Sequence, residues 1–395
     1  MKRTILYPLL TLYLLIFSNG QAIASGNDSI RLSLLTWPPG EEIYSLFGHT
    51  AIRYEDPANG IDAVFNYGLF SFNTPNFILR FSLGETDYQL GATDYAHFAA
   101  EYAFDGRSVW QQTLNLSKEE KADSSDCYRK TIFPKTEFTG IISFMTTALH
   151  ARAIKIEESI DGKVIYPAEP QDGSLSFRDI VHQYCKGHPW ARFGIDLCIG
   201  SEADRPITQR QMMFAPFYLM DAFAGAQIVH DSVQRPLVSG KELIVDALPE
   251  EEEGGWMPTP FQCSLLLFIL TAAATIYSIR KRTGLWGVDL ILFGAAGIVG
   301  CVLAFLALFS EHPAVSSNFL LLVFHPGQLL LLPYIIYCVR KGKKCWYLTL
   351  NLVVLTLFMV LFPLIPQRFD LAVVPLALCL LIRSASNLIL TSKKK

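Results

Sequence analysis

Hydrophobic and polar positions are distributed differently in the two parts of the chain. Residues 26–258 mix short apolar runs with polar stretches, which is typical of a water-soluble α+β domain. Residues 261–391 are almost continuously apolar. Because about 20 consecutive apolar residues cross a bilayer as a helix, this second part predicts a membrane domain.

Five apolar stretches of the second part are long enough to cross a bilayer as helices. They cover, approximately, residues 261–280, 286–309, 318–339, 345–366 and 369–390. Clusters of Lys and Arg follow the first, third and fifth stretches, whereas loops 310–317 and 366–370 carry almost no positive charge. Since basic loops stay on the cytoplasmic side, these two loops and the N-terminal part are predicted to lie outside, and the C-terminus in the cytoplasm.

Strand and turn signals dominate the start of the N-terminal part. Residues 32–37, 48–54 and 63–68 are strand-like runs, and turn residues at 56–60 predict that the last two runs form a hairpin. A helix is expected over 174–184. The expected fold class is therefore an α+β domain with an antiparallel sheet plus helices, followed by an all-α transmembrane bundle of about five helices.

Composition supports this division of the chain. The 395 residues are 51% hydrophobic and 17% charged, and the mean hydropathy of +0.29 is too high for an ordinary soluble protein. The formal net charge of −3 gives no reason to expect a nucleic-acid partner. No metal, nucleotide or nucleic-acid motif occurs, so neither a metal site nor a cofactor is expected.

The start of the chain predicts export. Residues 1–24 have a basic start, a short apolar core and a small-residue cleavage pattern, which together indicate a signal peptide; an uncleaved anchor helix is the alternative. The predicted exported domain covers 25–248. An acidic linker at 249–260 separates it from the transmembrane domain at 261–391.

A few polar residues are candidates for chemistry. His49 lies early in the second strand-like run, just after Gly48, and strand alternation places it on the same face as Ala51 and Arg53. A strand histidine is often structural, so both a structural and a catalytic role are open. Ionisable groups inside spans are functional candidates. There, His325 is expected to make a hydrogen bond across the bundle, and Arg383 to extend to the cytoplasmic surface.

Other polar groups are expected to shape the exported side. Asp196, Asp204 and Arg205 are predicted to form an ion-pair cluster or to help shape a site. Glu311 and His312 lie in the loop after the second span, facing the exported domain, and are candidate contacts for a substrate or a lipid headgroup.

Two cysteines of the exported domain lie outside the segment discussed below. Cys198 stands in an apolar run and is expected to be buried, and Cys185 is expected to be the more exposed of the two. A disulfide between them is possible in an oxidising compartment.

Several short motifs together resemble one family. They are Leu34-Leu35-Thr36, Phe47-Gly48-His49-Thr50-Ala51-Ile52-Arg53, Asn66-Tyr67-Gly68 and Gly194-Ile195-Asp196. In combination they are similar to the Bacteroidota-type lipoprotein N-acyltransferase family, Lnb, and the resemblance extends over nearly the whole chain. It implies location in the bacterial inner membrane, with a periplasmic domain of circularly permuted papain-like fold. In such folds the histidine precedes a nucleophilic cysteine in the sequence.

The resemblance also implies a reaction and its residues. His49 would accept the thiol proton of the cysteine, and Asn66 is the expected orienting residue for the imidazole. A phospholipid acyl donor would give its chain to the cysteine as a thioester, and a diacylated lipoprotein acceptor would take it on its α-amino group. Tyr67, Glu311 and His312 are the candidate substrate-binding residues. The membrane is itself a partner.

The sequence departs from the family pattern at the nucleophile. The family has its cysteine in an Asp-Asn-Cys-Thr-Thr-Arg segment, but no Asn-Cys pair occurs here between residues 120 and 160. In a shifted reading frame, each new codon consists of the third base of one residue's codon and the first two bases of the next residue's codon. Read in this way, the codons of Met145 to Ala148 can encode Asp-Asn-Cys. We therefore hypothesise a pair of compensating frameshifts that bound residues 124–155 and remove the nucleophile from this chain.

Two other interpretations are open at this point. A papain-like envelope amidase or peptidase would account for His49, but would leave the five helices with no task beyond anchoring. An inactive membrane sensor or paralogue would follow if the missing cysteine is a true property of the protein.

Overall fold

A computed structural model of the chain describes residues 29–40, 45–69, 71, 73–85, 89–122, 153–154, 156–167, 175–247 and 257–392. Three of the regions discussed above therefore lie wholly or mostly outside the described residues. They are the predicted signal peptide, the acidic linker and the segment 124–155 with the hypothesised frameshifts.

An antiparallel sheet organises the N-terminal domain. The described strands are β1 (Arg31–Trp37), β2 (His49–Asp56), β3 (Ile61–Leu69), β4 (Gln89–Asp94), β5 (Val109–Leu114), β6 (Lys163–Ile165), β7 (Gln227–His230), β8 (Val233–Pro236) and β9 (Val238–Val245). Among the described residues, one sheet has the order β4-β3-β2-β1-β5-β9 and a second has the order β6-β7-β8. Strands β2 and β3 pair antiparallel with Ile52 opposite Phe65, which confirms the predicted hairpin.

Helices cover both faces of the main sheet. Those described are α1 (Phe77–Leu83), α2 (Tyr95–Phe104), α3 (Phe177–Tyr184), α4 (Pro189–Cys198), α5 (Gln209–Met212) and α6 (Pro216–Gly225). On one face Leu34 and Phe65 belong to a core that includes Phe223 of α6. On the other face Trp37 packs with Phe98 of α2. The predicted α+β fold class is therefore confirmed.

The second part of the chain is a helical bundle. Its described helices are α7 (Pro260–Lys281), α8 (Trp286–Phe309), α9 (Pro326–Leu330), α10 (Leu332–Lys341), α11 (Trp346–Leu361) and α12 (Val373–Ser392). Among the described residues, α7, α8, α12 and the segment Trp346–Leu364 are long and apolar enough to cross a membrane. These four correspond to the first, second, fourth and fifth predicted spans.

The third predicted span, 318–339, is not one continuous helix. A 3₁₀ turn covers Phe319–Leu322, and His325 is extended with φ −142° and ψ 154° before α9 begins at Pro326. A proline has no N–H for the helical hydrogen bond and disfavours helical backbone at the residue before it. The prediction of an uninterrupted span is thus corrected to a discontinuous one.

Two glycines of α8 let this discontinuous segment pack closely. A Cβ at Gly300 would lie 2.4 Å from the backbone N and Cα of His325, and one at Gly297 would lie 2.5 Å from the backbone N of Leu329. Small residues are what allow such close approach between membrane segments. Nε2 of His325 lies 3.2 Å from the hydroxyl oxygen of Tyr347, so the predicted hydrogen bond across the bundle is present.

Arg383 is directed into the bundle rather than towards solvent. It is buried, and its Nε and Nη2 donate to the two carboxylate oxygens of Asp289 at 2.7 and 2.9 Å. Nη1 lies 3.3 Å from the hydroxyl of Thr275. The predicted extension to the cytoplasmic surface was wrong because α8 supplies a charge partner inside the bundle. Asp289 itself was overlooked, although an acidic residue within a predicted span was a visible signal.

The N-terminal domain contacts the bundle at the two loops predicted to lie outside. The backbone N–H of Gly200 donates to the carbonyl of Ala314 in loop 310–317 at 2.7 Å. Phe193 of α4 packs against the apolar core of the bundle. Side chains of loop 366–370 bind the same domain, as described below. The domain therefore lies at the end of the bundle that carries few basic residues.

Candidate active site

The turn before β2 fixes the position of His49. Gly48 has a φ of +67°, and a Cβ there would lie 2.5 Å from the carbonyl oxygen of Trp37. Glycine accepts both the left-handed backbone and this close approach, because it has no Cβ. The strand then begins with His49 opposite Trp37, and their ring centroids are 5.3 Å apart.

Asn66 lies within hydrogen-bond distance of this histidine. Its Oδ1 is 2.6 Å from Nε2 of His49, across the neighbouring strands β2 and β3. An amide oxygen only accepts, so in this arrangement Nε2 carries the hydrogen and donates. Nδ1 is then the ring nitrogen that can take up a proton. The structure thus brings together the two residues predicted to be catalytic and places them in one chemically useful arrangement.

Tyr67 does not share this face of the sheet. It follows Asn66 directly, and successive strand residues point to opposite faces. Its side chain packs against the core that contains Phe65, on the side opposite His49. The structure therefore does not bring this predicted substrate-binding residue to the His49–Asn66 pair.

Glu311 and His312 lie at the contact between the domain and the bundle. The backbone N–H of Glu311 donates to the carbonyl of Leu83 at 3.0 Å, and Nε2 of His312 lies 3.1 Å from the carbonyl oxygen of Phe81. Both residues face the N-terminal domain, as predicted. The structure gives them partners in α1 rather than a position beside His49.

The two cysteines of the domain that the structure describes are poorly suited to be nucleophiles. Burial raises the pKa of the Cys185 thiol to about 11, and burial also raises the pKa of the Cys198 thiol. Such thiols stay protonated at neutral pH, whereas the thiolate is the reactive form. The expectation that Cys185 is the more exposed was wrong, because it packs with Leu46 and Val181. Both thiols are free, so the possible disulfide is absent.

A buried arginine organises the ion pairs of this domain. Arg178 of α3 donates to Asp196 at 2.6 Å and to Asp204 at 2.8 Å. Arg205 instead pairs with Glu202 at the surface, at 2.8 Å. The predicted cluster therefore forms around both aspartates, but its cation is Arg178 and not Arg205. Sequence inspection missed Arg178 because nothing in its local pattern marks a buried arginine.

Loop 366–370 adds a second arginine to this cluster. Nε of Arg368 donates to Asp204 at 2.8 Å, and its Nη1 donates to Asp179 at 2.5 Å. Burial alone would raise the pKa of Asp179, but hydrogen bonds from Arg368 and Ser176 lower it to about 2. The carboxylate therefore stays charged, and the bundle holds the N-terminus of α3 by charge-assisted contacts.

Helix α3 connects this contact to the candidate histidine. The ring centroid of Phe47 lies 5.8 Å from that of Tyr184, and Leu46 packs against Val181. The turn that positions His49 therefore rests on α3, whose other end is held by the bundle. This chain of contacts fixes the His49–Asn66 pair relative to the outer loops.

Among the residues that the structure describes, no group of three or more His, Cys, Asp or Glu side chains is arranged to hold a metal ion.

Comparison with known proteins gives two matches, both to family models. A model described as the Lnb N-terminal periplasmic domain matches residues 24–126, which include His49 and Asn66. A model described as the Lnb transmembrane domain matches residues 251–395, which include the whole described bundle. Together they cover well over half of the chain. Among curated proteins and solved structures, none matches.

Proposed function

Because this chain belongs to the Lnb family, which is of the lipoprotein N-acyltransferase type, we propose that it moves an acyl chain from a phospholipid to the α-amino group of diacylglyceryl-cysteine lipoproteins. The observation that carries the proposal is the 2.6 Å contact between His49 and Asn66. It lies in a domain that is bound to the outer loops of a membrane bundle, where donor and acceptor would both be anchored.

The proposed reaction proceeds through a cysteine thioester. His49 takes the thiol proton, and the thiolate attacks the ester carbonyl of the phospholipid. The ester C–O bond breaks, and the lysophospholipid leaves with the proton returned by the imidazolium. The lipoprotein amine then attacks the thioester carbonyl and gives a proton to His49. The C–S bond breaks, the amide forms, and the proton passes to the departing thiolate.

Asn66 has a positioning role in this proposal. Its side-chain oxygen holds Nε2–H, so the ring keeps one tautomer and directs Nδ1 at the thiol. Because the imidazole is already oriented, less entropy is lost when it reaches the transition state of each proton transfer. The rate of each transfer is therefore higher than with a freely rotating ring.

In this proposal the nucleophile is the cysteine that segment 124–155 would encode if the two hypothesised frameshifts were reversed. No Asn-Cys pair occurs elsewhere in the chain, and burial raises the pKa of the thiols of Cys185 and Cys198, so neither of these cysteines is a suitable replacement. Resequencing the genomic locus tests the hypothesis. A clean in-frame reading of 124–155 as it stands here would reject it.

We further propose that the protein resides in the bacterial inner membrane with the C-terminus in the cytoplasm. The basic clusters at 280–282, 340–344 and 393–395 support this orientation, since positive loops remain cytoplasmic. The N-terminal domain contacts the opposite loops, 310–317 and 366–370.

Mass spectrometry of lipoprotein N-termini tests the function. If the genomic locus carries the restored frame, a strain that lacks this gene is expected to lose the amide-linked acyl chain, and unchanged triacylation would then reject acyl transfer by this protein. Complementation then uses three versions of the chain: the sequence as it stands, the frame-restored sequence, and the frame-restored sequence with His49→Ala. We expect only the second to restore triacylation.

The alternative is an inactive membrane sensor or paralogue. It is favoured by the same two observations on Cys185 and Cys198, provided that the sequence at 124–155 is correct. A confirmed locus sequence together with unchanged triacylation in the deletion strain would establish this alternative.

A further inference from the structure

Helix α1 presents an unusual apolar surface to solvent. It covers Phe77–Leu83 and contains no buried residue. Ile78 is 80% exposed and Leu79 is 49% exposed, while Leu69, at the end of the preceding strand, is 42% exposed. Single exposed apolar residues are ordinary, but a contiguous group on a surface helix marks a contact with a protein or a membrane.

The position of α1 indicates that its exposed apolar side chains contact a membrane rather than a protein. The backbone carbonyls of Leu83 and Phe81 bind Glu311 and His312 at 3.0 and 3.1 Å. Only Ser310 separates these two residues from Phe309, the last residue of the membrane-crossing helix α8. Since α8 spans the bilayer, its end lies at the membrane boundary, and α1 is held at the same depth.

The end of α8, close to α1, also exposes large apolar side chains. Leu308 is 75% exposed and Phe309 is 63% exposed. At Gly84 a Cβ would lie 3.3 Å from the Cβ of Glu311, so the chain after α1 and the loop after α8 are in close contact. The two exposed groups of side chains therefore belong to neighbouring elements at one membrane boundary.

We propose that α1 is an interfacial anchor, which inserts Ile78 and Leu79 into the outer leaflet of the bilayer beside the end of α8. Apolar side chains on a surface-lying helix bind membranes in this way. Strand β3, which carries Asn66, ends at Leu69 and leads towards α1. The anchor would therefore hold the β2–β3 hairpin, with His49 and Asn66, close to the depth at which the ester groups of the phospholipids lie. Membrane insertion of α1 does not depend on the proposed acyl transfer.

Photolabelling from within the bilayer tests this anchor. The full chain is reconstituted in phospholipid nanodiscs that contain a phospholipid with a diazirine on its acyl chain, irradiated, digested with trypsin and mapped by mass spectrometry. We expect label in the tryptic peptide 54–80, at residues 77–80, in addition to label in the spans. Label confined to residues 260–392 would overturn the proposal.

Substituted chains separate membrane insertion from misfolding and from a protein contact. The double variant Ile78→Gln, Leu79→Gln is expected to lose label at 77–80 while the spans keep theirs. Val233→Gln changes an exposed apolar residue of β8 and is expected to leave the label at 77–80 in place. If 77–80 take no lipid label and the chain forms a dimer in detergent that the double variant dissociates, the surface is a protein interface and the proposal fails. If residues 77–80 take the label but the protein does not acylate lipoprotein N-termini, the anchor is supported and the proposed function is rejected.

Discussion

Nε2 of His49 and Oδ1 of Asn66 are 2.6 Å apart, although the two residues lie on different strands. In the frame-restored chain, His49→Ala is expected to lower acyl transfer by about 10²–10⁴-fold, because the proton acceptor is lost. Asn66→Ala should lower the rate by up to roughly 100-fold, since the imidazole is kept but no longer oriented. Both rates are measured with a fluorescent phospholipid donor and a synthetic diacylated lipopeptide.

Asn59→Ala is the matched control for these variants. Asn59 lies in the turn of the same hairpin, and its side chain binds Asp56. This variant should retain the full rate. If His49→Ala also retained the full rate, the pair would have only a structural role.

The buried cation Arg178 should contribute strongly to the stability of the N-terminal domain. Arg178→Met removes the buried cation between Asp196 and Asp204, and loss of one partner of a buried pair typically costs about 3–5 kcal/mol. Asp204 keeps its contact with Arg368, and Asp196 keeps its contact with His182, so we expect the lower end of that range. Arg205→Met removes an exposed pair whose arginine side chain is 72% exposed, and should cost about 0–1 kcal/mol. Chemical unfolding of the detergent-purified chain, followed by near-UV circular dichroism, compares the two. Equal losses would contradict the assignment of Arg178 as the central cation.

The effects of replacing Arg383 and Asp289, the ion pair inside the bundle, on thermal stability should depend on each other. Arg383→Met leaves Asp289 buried and uncompensated, so the melting temperature in detergent is expected to fall markedly. The double variant Arg383→Met, Asp289→Leu replaces both charges by apolar groups and should recover most of that loss. Additive losses in the double variant would show that the two residues do not depend on each other.

The close packing of α8 against the discontinuous span gives a further prediction. Gly300→Ala places a Cβ 2.4 Å from the backbone of His325, so the segment must shift or the helix must move away. A Cβ at Gly287, in the same helix, meets nothing within 4 Å. We expect Gly300→Ala to lower the melting temperature in detergent, and Gly287→Ala to leave it unchanged or raise it, since alanine favours helix. Equal effects of the two variants would argue against the tight contact.

Local features of the chain were predicted well from sequence. Hydropathy over a window of about 20 residues and alternation along a strand depend only on contiguous residues. The sequence therefore identified the apolar spans and which loops share a side. It also found the β2–β3 hairpin and placed His49 early in β2, within one residue of where that strand begins. The separation of Asn66 from Tyr67 onto opposite faces also follows from alternation, and it could have been applied to place Tyr67 away from His49.

Pairings between distant residues were decided only by the tertiary structure. Asp289 and Arg383 are 94 positions apart, and Arg368 is 164 positions from Asp204. No local pattern encodes which charges meet, because the energy of a buried charge depends on the partner that folding brings beside it. The break in the third span is similar. Pro326 already disfavours helical backbone at His325, but the close fit of that backbone against Gly300 of α8 is a distant contact that only the tertiary structure shows.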